Sequence, residues 1–137
     1  MPVLNDDAGV RMILKNARTI AVPGLSDKPW RDSHSVSAFM LAQGYVIIPV
    51  NPHVQEVFGI PAVPSLATIT DRIDIVNVFR RPEGVPALVE EAIAKRVPTL
   101  WLQPGTVHEG AVSRATAAGL NVIVDRCIRV AYTLLVQ

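Results

Sequence analysis

The residues best equipped for chemistry lie in one stretch, Pro23-Gly24-Leu25-Ser26-Asp27-Lys28-Pro29-Trp30-Arg31-Asp32-Ser33. It directly follows the apolar run Thr19-Ile20-Ala21-Val22. Gly24, with no Cβ, lets a ligand approach the backbone closely. Ser26 and Ser33 bring hydroxyls, and Lys28 and Arg31 bring positive charge. The stretch feeds a helix start near Ser33 to Ser35, where unpaired N–H groups attract an anion. His34 stands at that start and reaches the same anion, or else caps the helix. Together these residues describe a phosphate cradle. The competing reading is a plain turn whose charges solvate a surface.

Better-known site patterns are missing. No second or third glycine follows Gly24 at GxGxxG spacing, and Asn51 stands where an acid would hold a ribose hydroxyl. That argues against NAD, and an NAD(H)-binding regulator ranks last among the functions considered. No Gly-Lys-Ser/Thr completes a Walker loop. His34, His53 and His108 have no metal-ligand spacing, so no metal is expected. No serine sits in a GxSxG turn. Cys127 follows Asp125 and Arg126, and Arg126 could activate its thiol. An enzyme acting on a thiol or thioester through Cys127 is therefore an alternative, although a lone cysteine is more often inert core. No residue is assigned as catalytic. Trp101 reads as core. Trp30, in a charged loop, reads either as a base-stacking cover or as a hydrophobic staple.

The elements that must position these residues alternate. Five runs read as strands buried on both faces: Thr19–Val22, Val46–Val50, Ile73–Phe79, Thr99–Leu102 and Asn121–Val124. Helical stripes fill the gaps: Val10, Ile13, Leu14 and Ala17, with Asn5 or Asp6 as N-cap; Val36, Phe39 and Met40, ended by Gly44; Val85, Leu88, Val89, Ala92 and Ile93, opened by Pro82; and Ala111, Val112, Ala115 and Ala118, ended by Gly119. A last helix spans about 128–135. The pattern predicts an α/β, Rossmann-like three-layer domain with a five-stranded parallel sheet, order 3-2-1-4-5, and helices on both faces. Residues 51–72 hold Pro52, Pro61 and Pro64, and read as a loop with about one helical turn at 65–69.

Ligands bind such sheets outside the carboxyl ends of the strands. That edge collects Asn51-Pro52-His53, Arg80-Arg81-Pro82, Gln103-Pro104-Gly105-Thr106 and Asp125-Arg126-Cys127 with the first loop. The cations Lys28, Arg31, Arg80, Arg81 and Arg126 share it with Asp27, Asp32, Glu83 and Asp125. A competing role for Arg80 and Arg81 is pairing with carboxylates near the third helix.

The bulk properties frame this edge. With 137 residues, half of them apolar and 18% charged, residues 1–137 form one globular domain. A net charge of +1 gives no global attraction to nucleic acid or anionic lipid. One cysteine forms no internal disulfide, which points to a reducing, cytoplasmic setting. No signal peptide or membrane span is expected. The apolar residues Val130, Leu134 and Leu135 of the last helix would permit a homodimer.

Taken together, residues 20–29, 44–52, 74–82, 101–105 and 125–127 resemble the stand-alone CoA-binding domain proteins. These are small relatives of the CoA-binding domain of the succinyl-CoA synthetase alpha subunit and of ADP-forming acyl-CoA synthetases. The similarity runs from about residue 8 to 132. It implies a Rossmann-like fold with coenzyme A, or an acyl-CoA, across the carboxyl edge of the sheet. By analogy Gly24, Leu25, Ser26 and Lys28 contact phosphates, with Arg31 nearby. Asn51 and Pro52 flank the adenosine. Phe79, Arg80, Arg81 and Pro82, with Gln103, Pro104 and Gly105, wall the pantetheine arm. Asp27, Ser33 and His34 complete the expected site. The synthetases' phosphorylated histidine belongs to another domain, so their ligase activity does not carry over. The length accordingly favours a binding or regulatory module over an enzyme.

Overall fold

The computed structural model describes residues 3–4 and 6–137. In chain order its elements are α1 (Asp7–Asn16), β1 (Thr19–Pro23), α2 (Asp32–Ala42), β2 (Val46–Val50), β3 (Glu56–Val57), β4 (Ile60–Pro61), β5 (Ile75–Val78), α3 (Val85–Ala94), β6 (Thr99–Leu102), α4 (Glu109–Ala117), β7 (Asn121–Val124) and α5 (Ile128–Leu135). Local signals place the helix ends. Asp6 accepts a hydrogen bond from the Gly9 N–H at 2.9 Å and caps α1, whereas Asn5 lies outside the described residues. His108 Nδ1 does the same for α4 through the Ala111 N–H. Gly44 and Gly119 take the left-handed conformation that ends α2 and α4, with φ of 101° and 92°.

β2, β1, β5, β6 and β7 form one parallel sheet. Alternation along the strands divides its side chains between two cores. Ile20, Val22, Ile47, Ile75, Trp101 and Ile123 face α1, α2 and α5. Ala21, Val76, Val78, Leu100, Leu102 and Val122 face α3 and α4. The result is the expected three-layer, Rossmann-like α/β domain. No helix among the described residues is long and apolar enough to cross a membrane.

The strand order differs from the expected 3-2-1-4-5. The third strand of the main sheet, β5, pairs with β1 (Ile20 with Ile75, Ala21 with Val76), so the order is 2-1-3-4-5. The cause is local to β2. Pro49 has no N–H to give a ladder, which suits an edge strand, and Val46 is 55% exposed. The outer side of β2 is taken by Val63, whose N–H donates to Pro49 O and whose carbonyl accepts from Asn51 N, both at 2.9 Å. Residues 51–72 supply no helix long enough to carry a strand beyond β2. They contain a 3-10 turn, Leu66–Thr68, and an unanticipated hairpin of β3 and β4. Leu66, Ile69 and Ile73 bury against the α3 side of the sheet.

Tyr45, just before β2, donates its hydroxyl to the Leu14 carbonyl of α1. Burial, and secondarily Tyr132 beside it, pushes its phenol from an ordinary 10.0 up to about 12. The folded state therefore holds this proton more tightly than the unfolded chain does. The stabilisation is complete below pH 10 and is lost as pH rises from 10 through about 12. Urea melts across that window should show a loss of about 2–3 kcal/mol, because each tenfold difference in proton affinity between the two states is worth about 1.4 kcal/mol. In Tyr45→Phe that part of the alkaline slope should vanish. An unchanged slope would refute the assignment.

Candidate functional site

The observed strand order fixes where the connections diverge. The chain leaves β1 through α2 on one face of the sheet and leaves β5 through α3 on the other. The crevice between the carboxyl ends of β1 and β5 is therefore the topological switch point. Two hollows open there and share Gly24 and Phe79 as a common wall. The larger, about 510 Å³, adds Ser26, Trp30, Arg31, Asp32 and Ser33. The smaller, about 250 Å³, adds Asn51, Pro52, His53 and Arg80.

Gly24 is the pivot. Its φ is 85°, and a Cβ placed on it would lie 2.1 Å from the Phe79 carbonyl oxygen. Its N–H donates to Val50 O at 2.9 Å, while Phe79 N–H donates to Pro23 O at 2.9 Å. The first loop is thus held against both neighbouring strands.

Beyond Gly24 the loop is braced by its own hydroxyls. Ser26 N–H donates to Ser33 Oγ, and Lys28 N–H donates to Ser26 Oγ, each at 3.0 Å. Arg31 N–H returns to Lys28 O at 3.0 Å, closing a turn with Pro29 at its second position. The serine oxygens are spent as acceptors toward the backbone, so the Ser26 hydroxyl keeps its proton for a ligand. Arg31 precedes α2 without capping it through its side chain. Among the described residues Arg31, Arg80 and Arg81 have no carboxylate within ion-pairing distance. The alternative pairing of Arg80 and Arg81 with acids near α3 is not what the structure shows.

Of the expected site residues, Gly24, Ser26, Arg31, Ser33, Asn51, Pro52, Phe79 and Arg80 line the hollows. Asp27 and Lys28 lie on the exposed rim, 3.9 Å apart. Leu25 is fully buried in the core. Its N–H donates to Val22 O, and its carbonyl accepts from Asn51 Nδ2 at 3.0 Å. Asn51 Oδ1 also accepts from His53 N–H, so this side chain staples the loop after β2 to the loop after β1. His34 packs against Phe58 of the hairpin turn, with ring centroids 4.6 Å apart. Arg81 and Pro82 open the 3-10 turn that leads into α3.

Gln103, Pro104 and Gly105 are not among the residues lining either hollow. Gln103 Oε1 accepts from the Ile128 N–H at 2.9 Å and so holds the start of α5. Arg126 is paired with Asp7 at 3.2 Å, which removes it from the cations of the edge. Cys127 is half-buried at the start of α5. Asp32 and His53 line the hollows without having been assigned to the site, their place in the strand-end loops being the available signal, and Trp30, read from the sequence as a stacking cover or a staple, lines the larger one.

The arrangement offers an anion the Ser26 hydroxyl proton, a helix start without a side-chain cap and, among the described residues, two guanidinium groups without an ion-pair partner, Arg31 and Arg80. A family model described as CoA binding domain matches residues 18–133 of this chain. The chain belongs to the CoA-binding domain family. Its relatives include the uncharacterized protein YneT of Bacillus subtilis (strain 168), 47% identical over 93% of this chain and 94% of YneT. A solved structure of a hypothetical protein from Pyrococcus horikoshii OT3 superposes with a TM-score of 0.95. It is 34% identical and covers 100% of this chain and 98% of its own. The dinucleotide forming acetyl-coenzyme A synthetase 1 of Ca. Korarchaeum cryptofilum superposes with a TM-score of 0.72 over 85% of this chain and 27% of its own. At 20% identity, that match shows a shared fold alone.

Proposed function

We propose that this domain binds coenzyme A or an acyl-CoA in the paired hollows, as a binding or regulatory module rather than a catalyst. The observation that carries the reading is the Gly24 contact with Phe79 at the switch point, which opens a polar hollow on one side and a second on the other. CoA suits this shape. Its pyrophosphate needs hydrogen-bond donors, which the Ser26 hydroxyl and the uncapped start of α2 supply beside Gly24. Its 3′-phosphate needs a cation, which Lys28, Arg31 or Arg80 provides. Its pantetheine arm needs an apolar wall, and Phe79 with Pro82 and Pro104 lies along the same strand edge. Membership of the CoA-binding domain family supports the same ligand. On this reading the domain does for CoA what the corresponding domain of the succinyl-CoA synthetase alpha subunit does.

The non-catalytic role is supported by how the polar side chains are used. Ser26, Ser33, Asn51 and Gln103 hold loops in place. Arg126, the cation invoked to activate Cys127, is bound to Asp7. An NAD(H) site is disfavoured because Asn51, not an acid, follows β2 and is turned to the Leu25 carbonyl. Calorimetry with CoA, acetyl-CoA, NAD and NADP should give saturable heat with the two CoA species and none with the dinucleotides. Absence of heat with either CoA species at millimolar ligand would overturn the proposal.

A further inference from the structure

Trp30 is the unexplained residue of the larger hollow. It is 77% exposed, whereas Trp101, the other tryptophan, is completely buried and donates its Nε1–H to Arg126 O. Leaving an indole in water forfeits one of the largest apolar burials a side chain can offer. It also excludes the hydrophobic-staple reading, since a staple packs against its own helix. Nor does a mobile loop account for the exposure. Trp30 is the third residue of the turn closed by Arg31 N–H on Lys28 O, with Pro29 fixing the residue before it. The hydroxyl braces from Ser26 and Ser33 hold that turn from the other side. The fold therefore presents an aromatic face, carried on a hydrogen-bonded turn, at the rim of a hollow that also holds Arg31 and the Gly24 backbone.

We infer that Trp30 stacks on the adenine ring of the bound nucleotide and so makes the site selective for the base-bearing end of CoA. The inference rests on the CoA reading above, adds to it the element that recognises the base, and places that base at the larger hollow rather than beside Asn51 and Pro52 of the smaller one, where the resemblance set the adenosine. A planar base on an indole excludes water from both contacting faces, and stacking of this kind is tolerant of small adjustments in position. Arg31, next in sequence, lies on the same wall of the hollow, where it meets the phosphates attached to that base. Because the turn's backbone is already hydrogen-bonded, only the rotamers of the indole itself remain to be ordered when the ligand arrives.

The test uses wild type, Trp30→Ala and Trp30→Phe with three probes: CoA, 4′-phosphopantetheine, which lacks the base, and ADP, which lacks the pantetheine arm. Trp30→Ala should weaken CoA by about ten-fold or more, leave 4′-phosphopantetheine unchanged, and collapse the preference between them. Trp30→Phe should retain most of the affinity. CoA and ADP should quench the exposed tryptophan emission of wild type, with the midpoint seen by calorimetry, and the quench should be absent in Trp30→Phe. If wild type binds CoA and Trp30→Ala binds it equally well, stacking is overturned while the CoA reading stands. If ADP quenches but CoA gives no heat, stacking on a purine nucleotide is supported and the CoA reading falls. If neither ligand binds, both fall.

Discussion

Gly24→Ala should cost about 4 kcal/mol of stability, the sum of a left-handed backbone strain and a severe overlap. It should also abolish CoA binding. At φ 85° an alanine is strained before any neighbour is considered. The added methyl would then sit 2.1 Å from Phe79 O, a backbone atom that cannot swing aside like a side-chain tip. Relief requires β1 and β5 to separate at their carboxyl ends. That breaks the Phe79 N–H bond to Pro23 O and disturbs the Gly24 N–H bond to Val50 O. The hollows share this wall, so they are lost together. Gly44→Ala is the internal control. Its φ is 101°, but its Cβ would meet nothing within 4 Å. It should therefore show only the conformational cost, about 1–2 kcal/mol. Guanidinium melts of both variants separate the two contributions. A Gly24→Ala loss no larger than that of Gly44→Ala would mean that the close approach has no energetic consequence.

The Lys28→Ala, Arg31→Ala double variant should bind CoA more weakly by about 100-fold or more, because each charge-assisted phosphate contact is worth on the order of 1.5 kcal/mol or more. Both side chains lie in the exposed segment 27–32, and Lys28 has only a loose 3.9 Å pairing with Asp27. Stability should therefore remain within about 0.5 kcal/mol of wild type. Salt gives a second readout. Wild-type affinity for CoA should fall as ionic strength rises, because exposed charges are screened beyond about 10 Å at 0.1 M. The double variant should show a flatter dependence. Asp32 lines the same hollow and opposes the ligand charge, so the two cations offset a carboxylate as well as meeting a phosphate. Affinity within two-fold of wild type would assign Lys28 and Arg31 to the surface.

Much of this was legible along the chain. The five strand runs and the helical stripes follow from local periodicity, and their order of appearance requires an α/β sandwich. Gly24 stood out because a glycine directly after a buried strand signals close backbone approach. Asn5 or Asp6 announced a helix start, and Gly44 and Gly119 helix ends. The hairpin of β3 and β4 did not announce itself. Its turn is Phe58-Gly59, with φ of 57° and 73°, and a bulky residue in the first of these positions lacks the Asn-Gly or Asp-Gly signature. Pro49 did carry a signal, since a proline inside a strand argues for an edge, and the central placement implied by 3-2-1-4-5 conflicts with it.

The sequence by itself determined the identity of the elements and the set of loops from which a site could be made. These depend on residues a few positions apart. The tertiary structure alone decided the strand order, and with it the switch point between β1 and β5. It also decided which polar groups remain for a ligand. Those outcomes depend on partners remote in sequence: Asn51 is spent on Leu25, Gln103 on Ile128 and Arg126 on Asp7, while Arg31, Arg80 and Trp30 face the hollows. A side chain's chemistry is written in its type. Whether that chemistry is available is set by which backbone groups the fold brings within hydrogen-bonding distance.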